Sequence, residues 1–380
     1  MINPIQFCAA PFKELVIDSD GRLLPCCDFK QPAPTYRSVN TFATFDTWWD
    51  EELIPLRQDM LTNQLNSGCK SCKSKPWPTP AGPKHTHINN KYRNLFTDGK
   101  FLDDGIIESI EIRFGNYCNL KCIMCGPYAS SSLAEEYTRH TATFLKNNFN
   151  TPVDRIKTTR WWDEPGALDK LFDVVKNAKY VHFTGGEPMM IPEVVDILNH
   201  LDSNVVVGFN TNMTKFSDKI YNTLAKFQRV VVHASVEGIN EHNDYVRYNS
   251  QWGVIDTAIK KLQTFNNVNI TLVHVLQHTS IFALPNLLEY GQQNNLIILP
   301  DVVYDSGYGG GGYLTIDSVS PTDVDNFKKY LTANLNPVIE AWVNTYSFNL
   351  DKHRRYQEYV NMLDGIRSTN FNATFNPTWI

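Results

Sequence analysis

Three observations predict an α/β fold for this chain. Apolar runs of strand length recur at residues 106–115, 180–184, 204–211, 229–237, 267–277 and 296–304. Stretches with helical periodicity alternate with them, at 130–147, 168–176, 192–200, 215–227, 252–264 and 284–293. Six units of this rhythm imply parallel strands joined by right-handed crossovers. A doubly wound sheet and a partial barrel both satisfy that pattern, and in both the ligands gather at the carboxyl ends of the strands. The third observation is that glycine-rich and polar motifs fall at those ends: Thr184-Gly-Gly-Glu-Pro188, Asn210-Thr-Asn212 and His233-Ala-Ser-Val-Glu-Gly238.

The composition sets the class. The chain has 380 residues, 42% of them hydrophobic and 20% charged, which suits a globular protein of two or three structural units. A net charge of −5 gives no broad attraction for nucleic acid or membrane. No apolar stretch reaches the ~18 residues that a membrane span needs. Residues 1–7 lack a basic segment followed by an apolar run, so no signal peptide is read there and a cytoplasmic location is expected. Of the eight cysteines, five (Cys8, Cys26, Cys27, Cys69, Cys72) precede residue 75 and three (Cys118, Cys122, Cys125) form one run, with none beyond. Two clusters in a reducing compartment read as ligand sets rather than as a disulfide framework.

Cys118, Cys122 and Cys125 form a CxxxCxxC run directly after the first barrel-type strand. Three thiolates so close can hold three irons of a cubic [4Fe–4S] cluster, leaving one iron for a ligand from outside the protein. Half of a zinc site, or buried thiols with no chemistry, would use the same residues. The spacing, with apolar Met124 before the third Cys, resembles that of the radical SAM superfamily, in which S-adenosylmethionine (SAM) chelates the open iron. The Gly185-Gly186-Glu187-Pro188 turn resembles the superfamily's GGEP motif, which holds the methionyl ammonium of SAM. The stretch from Ser235 and Glu237 to Arg247 resembles the S-[ILV]-[DE]-G…HD..R segment of SPASM-type members.

The resemblance implies a partial (β/α)6 radical SAM barrel over 106–305. It also implies SAM contacts from Met124, Gly185, Gly186, Glu187, Pro188, Asn210, Asn212, Ser235 and Glu237, with Arg247 on the SAM carboxylate. A surface salt bridge is the plain alternative for Arg247. His182, His233 and His274 lie within strands, where a hydrogen-bonded core histidine is the ordinary reading and an acid or base role the other.

In the first hundred residues, Cys8 opens a short strand, Asp18-Ser-Asp-Gly21 supplies turn chemistry, and Arg22 to Cys27 returns. The hairpin brings Cys8 near Cys26 or Cys27. A helix over 47–63 leads to Cys69-Lys-Ser-Cys72, making a set of four ligands. A structural zinc knuckle fits this set as well as a cluster does. The segment resembles the SPASM/twitch auxiliary-cluster domain in its words CAAPF, DGRLLPCC and LNSGCKSC. It lacks the further Cys of a full SPASM domain, which favours the one-cluster twitch form, here placed before the barrel. That resemblance implies an auxiliary [4Fe–4S] cluster on Cys8, Cys26, Cys69 and Cys72, with Cys27 able to replace Cys26.

The expected organisation is a twitch-like domain at 1–75, a proline-rich linker at 76–105, the barrel at 106–305, and at 306–380 a glycine-rich loop, a helical extension and an extended C-terminal strap. His85 and His87 read as linker residues. The loop from Tyr304 to Tyr313 can shape a pocket or simply connect. The implied chemistry is reductive cleavage of SAM to a 5′-deoxyadenosyl radical and hydrogen abstraction, with the auxiliary cluster aiding oxidation. The implied substrate is a peptide or protein side chain, or alternatively a small molecule such as a sugar or amino-alcohol. A flavodoxin or ferredoxin is the implied electron donor. A non-catalytic zinc protein is the rival from another class, and acidity argues against an RNA-modifying role.

Overall fold

The computed structural model describes residues 7–30, 45–64, 66–70, 72, 84–98, 100–149, 160–303, 311–333 and 337–375. The proline-rich stretch 73–83, most of the glycine-rich loop (304–310) and the last residues, 376–380, lie outside them. The strands are β1 (Glu14–Ile17), β2 (Leu23–Leu24), β3 (Phe96–Thr97), β4 (Lys100–Phe101), β5 (Ser109–Phe114), β6 (Lys121–Cys122), β7 (Tyr180–Gly185), β8 (Val206–Thr211), β9 (Val230–Ser235), β10 (Arg247–Tyr248), β11 (Val268–Leu276) and β12 (Ile297–Val302). The six long apolar runs are β5, β7, β8, β9, β11 and β12, and a helix follows each of the first five. This is the expected α/β fold of parallel strands with a helical extension after them.

The chain divides into two compact units. The first comprises Met1–Gly115, Thr159–Phe209 and Asn222–Val230, and the second comprises Asn116–Thr158, Asn210–Tyr221 and Val231–Ile380.

In the first unit the sheet order is β8-β7-β5-β1-β2. β5 and β7 pair in parallel, with Glu111 opposite His182 and Ile112 opposite Phe183. Alternation decides the faces, since successive side chains of a strand point to opposite sides. Ile110, Ile112 and Phe114 are buried while Glu111 and Arg113 are only partly so. The expected N-terminal hairpin forms, and β1 continues the sheet by pairing in parallel with β5. Its turn requires Gly21. At φ +83° a side chain is strained, and a Cβ there would meet the Trp161 Cβ at 2.6 Å. Trp161 in turn stacks on Phe114 and donates its Nε1–H to the Arg113 carbonyl at 3.0 Å.

The first unit departs from expectation in three places. A helical turn, Ala10–Lys13, separates Cys8 from β1, where an uninterrupted strand was expected. Pro55 at the start of Ile54–Leu61 interrupts the single helix expected over 47–63, because it offers no N–H to the preceding turn. Lys84–Lys91, expected as linker, is helical.

In the second unit the sheet order is β12-β11-β9. β11 and β12 run parallel, with Leu272 opposite Ile298. The helix expected over 130–147 forms as two, Ser131–Arg139 and Thr141–Lys146. Ser130 caps the first by accepting the Leu133 N–H at 3.1 Å. Thr141 bonds its hydroxyl back to the Tyr137 carbonyl at 2.8 Å, the kind of local bond that competes with a continuous helix. The C-terminal extension contributes Leu350–Arg367, whose Tyr356, Tyr359, Val360 and Leu363 pack with Ile123, Leu133, Tyr137 and Phe144 in one apolar core. The strap expected at the end is instead the helix Phe371–Phe375, capped by Asn370, because Phe375 enters the same core.

Two buried histidines make this unit acid-sensitive. His278 stacks on Tyr356 with ring centroids 3.4 Å apart and bonds through Nδ1 to the Ser318 hydroxyl at 2.7 Å. Burial holds it well below its ordinary value of 6.5, and burial likewise lowers His274 to about 3. Both are neutral when folded, whereas the unfolded chain protonates them near 6.5. Their stabilisation is therefore complete above that pH and is lost as pH falls, by about 1.4 kcal/mol per unit for each histidine. His278→Phe keeps the stack on Tyr356 and removes one titrating group. We expect urea unfolding from about pH 6.5 to about pH 4.5 to show a shallower pH dependence in that variant. A slope equal to the wild type's contradicts the assignment.

Candidate metal and cofactor site

The loop that carries Cys118, Cys122 and Cys125 is closed by its own backbone and by the helix after it. Asn116 donates its side-chain amide to the Pro127 carbonyl at 3.0 Å, and Ser130 donates to the Leu120 carbonyl at 2.6 Å. The Cys118 N–H donates to the Ser131 hydroxyl at 3.2 Å, and the Cys125 N–H to the Cys122 carbonyl at 3.1 Å. Cys118 and Cys122 are buried and Cys125 and Met124 half-buried. The middle of the loop is clamped from outside. β6 pairs antiparallel with β10, which sets Cys122 opposite Arg247, and the Ile123 N–H donates to the Val246 carbonyl at 2.9 Å. The Tyr359 hydroxyl, from the C-terminal helix, donates to the Ile123 carbonyl at 3.1 Å.

Two side chains aim N–H donors at the sulfurs. Arg247 Nη1 lies 3.8 Å from Cys122 Sγ, and Asn212 Nδ2 lies 3.8 Å from Cys118 Sγ. Asn212 is itself fixed, donating to Asn119 Oδ1 at 3.1 Å and accepting the Thr214 N–H at 3.0 Å. Burial pushes the Cys125 thiol up to about 12 and raises Cys122, the latter against the pull of Arg247. Buried thiols of this kind become thiolates when a metal takes the charge. Among the described residues no three His, Cys, Asp or Glu side chains form a group that could hold a single metal ion. A cubic cluster makes a different demand, with each thiolate on its own iron at a separate corner. Three thiols on one closed loop, two of them facing N–H donors, fit that group.

Arg247 is not on the surface. It is 8% exposed and forms a buried ion pair, Nη2 to Glu237 Oε1 at 2.6 Å, which replaces the surface salt bridge considered for it. Glu237 is fully buried, and its other oxygen accepts the Val275 N–H at 2.8 Å. Burial raises the Glu237 carboxyl, while Arg247 and that N–H pull it back. Asn243 holds the Glu237 backbone, accepting its N–H at 3.0 Å, and donates to Ser250 at 3.2 Å. His274 is a fully buried core histidine, with Nδ1 3.5 Å from Glu237 Oε2 and a backbone hydrogen bond at Val236. The fully buried Gln277 amide and Arg247 Nε have no hydrogen-bond partner. Ser235 is half-buried on β9, and Asn210 is exposed, with His233 Nδ1 3.0 Å from its Oδ1.

In the first unit, Gly185 ends β7 at φ +117°, where a Cβ would come within 2.9 Å of the Phe114 nitrogen, so only glycine fits. Gly186 is half-buried and Pro188 buried. Glu187, 1% exposed, accepts the Met189 N–H at 3.1 Å and so caps the short helix Pro188–Met190. Three of the N-terminal cysteines, Cys8, Cys69 and Cys72, lie near enough to interact electrostatically. Burial raises Cys8 to about 12, and Cys69 and Cys72 add to the shift by their proximity. The segment after Cys26 packs on the Cys69 knuckle: Lys30 N–H donates to the Gly68 carbonyl at 3.0 Å, and a Cβ at Gly68 would strike the Phe29 ring at 2.4 Å. Cys27 lies near enough to Arg113 to contribute to its raised pKa, after Glu111 and Asp18. Asn89 brackets Cys8, accepting the Ala9 N–H and donating to the Phe7 carbonyl, each at 2.9 Å.

Asn89, Asn119, Asn243 and Gln277 were not foreseen as site residues. Asn119, next to Cys118, carried the one available signal. The others act through amide geometry that sequence spacing does not encode.

Residues 112–280 match the family described as Radical SAM superfamily. The matched segment spans the three-cysteine loop, the Gly185–Pro188 turn and the Glu237–Arg247 pair, and it supports the resemblance read from those motifs. No curated protein matches the chain. Among solved structures the chain is similar to anSMEcpe with bound AdoMet, at 15% identity and TM-score 0.42, covering 60% of this chain and 57% of that one. It is also similar to Streptococcus suis SuiB bound to precursor peptide SuiA, at 14% identity and TM-score 0.40, covering 77% of this chain and 59% of that one. The chain therefore spans less than two thirds of the length of either neighbour.

Truncating Arg247 leaves Glu237 buried without its partner, which costs about 3–5 kcal/mol. Arg247→Met should lower stability by that order in urea unfolding, and adding Glu237→Gln should restore most of it. A loss equal in the single and double variants contradicts the pairing.

Proposed function

We propose that this chain is a radical SAM enzyme. The observation that carries the reading is the Cys118–Cys122–Cys125 loop, closed on itself and faced by Arg247 and Asn212, inside the segment that matches the Radical SAM superfamily. Cys118, Cys122 and Cys125 would each ligate one iron of a [4Fe–4S] cluster, with the fourth iron open to SAM. When bound, the cluster and SAM together supply reductive SAM cleavage and hydrogen abstraction from the substrate. The protein's own groups position and shield. The resemblance to the GGEP motif assigns Gly185 and Gly186 to the SAM ammonium. Ser235, Glu237, Asn210 and Asn212 offer polar contacts, and Arg247 Nε, buried and unpartnered, suits the SAM carboxylate.

For the N-terminal set we propose an auxiliary [4Fe–4S] cluster on Cys8, Cys26, Cys69 and Cys72. The support is the shared environment of Cys8, Cys69 and Cys72 and the packing of the Cys26 segment on Gly68. Its role would be to take an electron from the product radical. By the SPASM/twitch resemblance the proposed substrate is a peptide or protein side chain, with a flavodoxin or ferredoxin as donor. No helix among the described residues is long and apolar enough to cross a membrane.

The test uses anaerobically reconstituted protein with dithionite and SAM. We expect 5′-deoxyadenosine and methionine in equal amounts, and none from the Cys118→Ala/Cys122→Ala/Cys125→Ala variant. An iron-loaded wild type that leaves SAM intact overturns the reading.

A further inference from the structure

The proposed function gives Arg247 one task, the SAM carboxylate, but its geometry shows a second. Three features of the second unit bear on it. Arg247 is buried and stands opposite Cys122 in the β6–β10 ladder, so its backbone cannot move away from that cysteine without breaking the pairing. Nη1 points at Cys122 Sγ at 3.8 Å, while Nη2 is committed to Glu237 at 2.6 Å. Glu237 is anchored in turn by the Val275 N–H and, through its own N–H, by Asn243. The guanidinium is thus held in one orientation by a buried carboxylate that is itself anchored to the Val275 N–H and balances its charge.

We infer that Arg247 sets the reduction potential of the cluster through Cys122, and that Glu237 limits how far. This rests on the proposed reading of Cys118, Cys122 and Cys125 as cluster ligands. Hydrogen bonds to the sulfurs and net charge nearby are two of the levers that set such potentials. Reduction adds one electron to the cluster. A cation donating to one ligand sulfur in a buried site stabilises the reduced form and makes the potential less negative. The Glu237 carboxylate offsets part of that cationic field. The two residues therefore have opposite signs, a pattern that a merely structural ion pair does not produce. Asn212 on Cys118 is the neutral counterpart, and with no charge its effect is the smaller.

The experiment is a dithionite titration of anaerobically reconstituted protein without SAM, followed by electron paramagnetic resonance of the reduced cluster. Iron and sulfide content is measured first on each sample. N-terminal signals are removed from the comparison by a Cys69→Ala/Cys72→Ala background. Arg247→Gln should lower the ratio of reduced to oxidised cluster at a fixed potential by on the order of tenfold, equivalent to about 59 mV for one electron. Glu237→Gln should move the midpoint in the other direction. If Arg247→Gln does not assemble a cluster, Glu237→Gln decides alone, since it keeps both Arg247 and Cys122. Midpoints within error of wild type in cluster-loaded variants, or a shift of Glu237→Gln in the same direction as Arg247→Gln, overturn the inference. A background protein that binds no iron overturns the proposed ligand set and this inference with it. Normal iron with unmoved midpoints overturns the inference alone.

Discussion

The second unit depends on a buried ion pair. Placing Arg247 and Glu237 in the interior removes two charges from water, which is costly unless each charge is fully paired. The fold meets that condition by bringing separate elements together: the segment after β9 supplies Glu237, β11 the Val275 N–H, the helix Asn240–Val246 Asn243, and β10 Arg247 itself. The consequence reaches the cysteine loop directly. Because β10 pairs with β6, the strand that carries the cation also fixes Cys122, and Val246 fixes Ile123. Electrostatic satisfaction and the shape of the loop are one constraint rather than two.

The first unit solves a comparable problem with amides and close packing. Its cysteines lie on segments too short to form a core of their own, and among the described residues no single helix or strand joins them. Asn89 ties the Cys8 backbone to the helix Lys84–Lys91, while Gly68 admits the Phe29 ring beside the Cys69 knuckle. The hairpin that separates Cys8 from Cys26 gains its stability by extending the sheet at β5, and its turn is fixed by the contact between Gly21 and Trp161. The N-terminal segment is thereby continuous with the sheet that carries the Gly185–Pro188 turn within the same unit.

The strands of the α/β fold were legible because burial follows alternation. Ile110, Ile112 and Phe114, or Val230, Val232 and Ala234, announce a strand and its buried face together. The cysteine spacings and the Gly185–Gly186 turn were legible because their chemistry tolerates few other residues. What the sequence hid depends on long-range partners. For Arg247 the sequence left a SAM-carboxylate contact and a surface salt bridge open, and the buried pairing with Glu237 was hidden because nothing local announces a carboxylate ten positions earlier as its partner. Asn89 sat in a segment read as linker, and its role appears only once residues 7–9 lie beside it. The terminal helix Phe371–Phe375 was read as an extended strap because a short, polar, Asn- and Thr-rich stretch has weak helical preference and its packing on Tyr245 and Phe282 decides the matter.

The central claim is that the two groups of cysteines hold two separate iron–sulfur clusters, one of them on Cys118, Cys122 and Cys125. Iron and sulfide content of anaerobically purified protein, measured beside the triple alanine variant of those three residues, tests it most directly. The account predicts about eight irons per chain, falling to about four in the variant. About four irons falling to none would leave the N-terminal cysteines without a cluster and contradict the auxiliary assignment, and iron unchanged by the substitutions would contradict the central site itself.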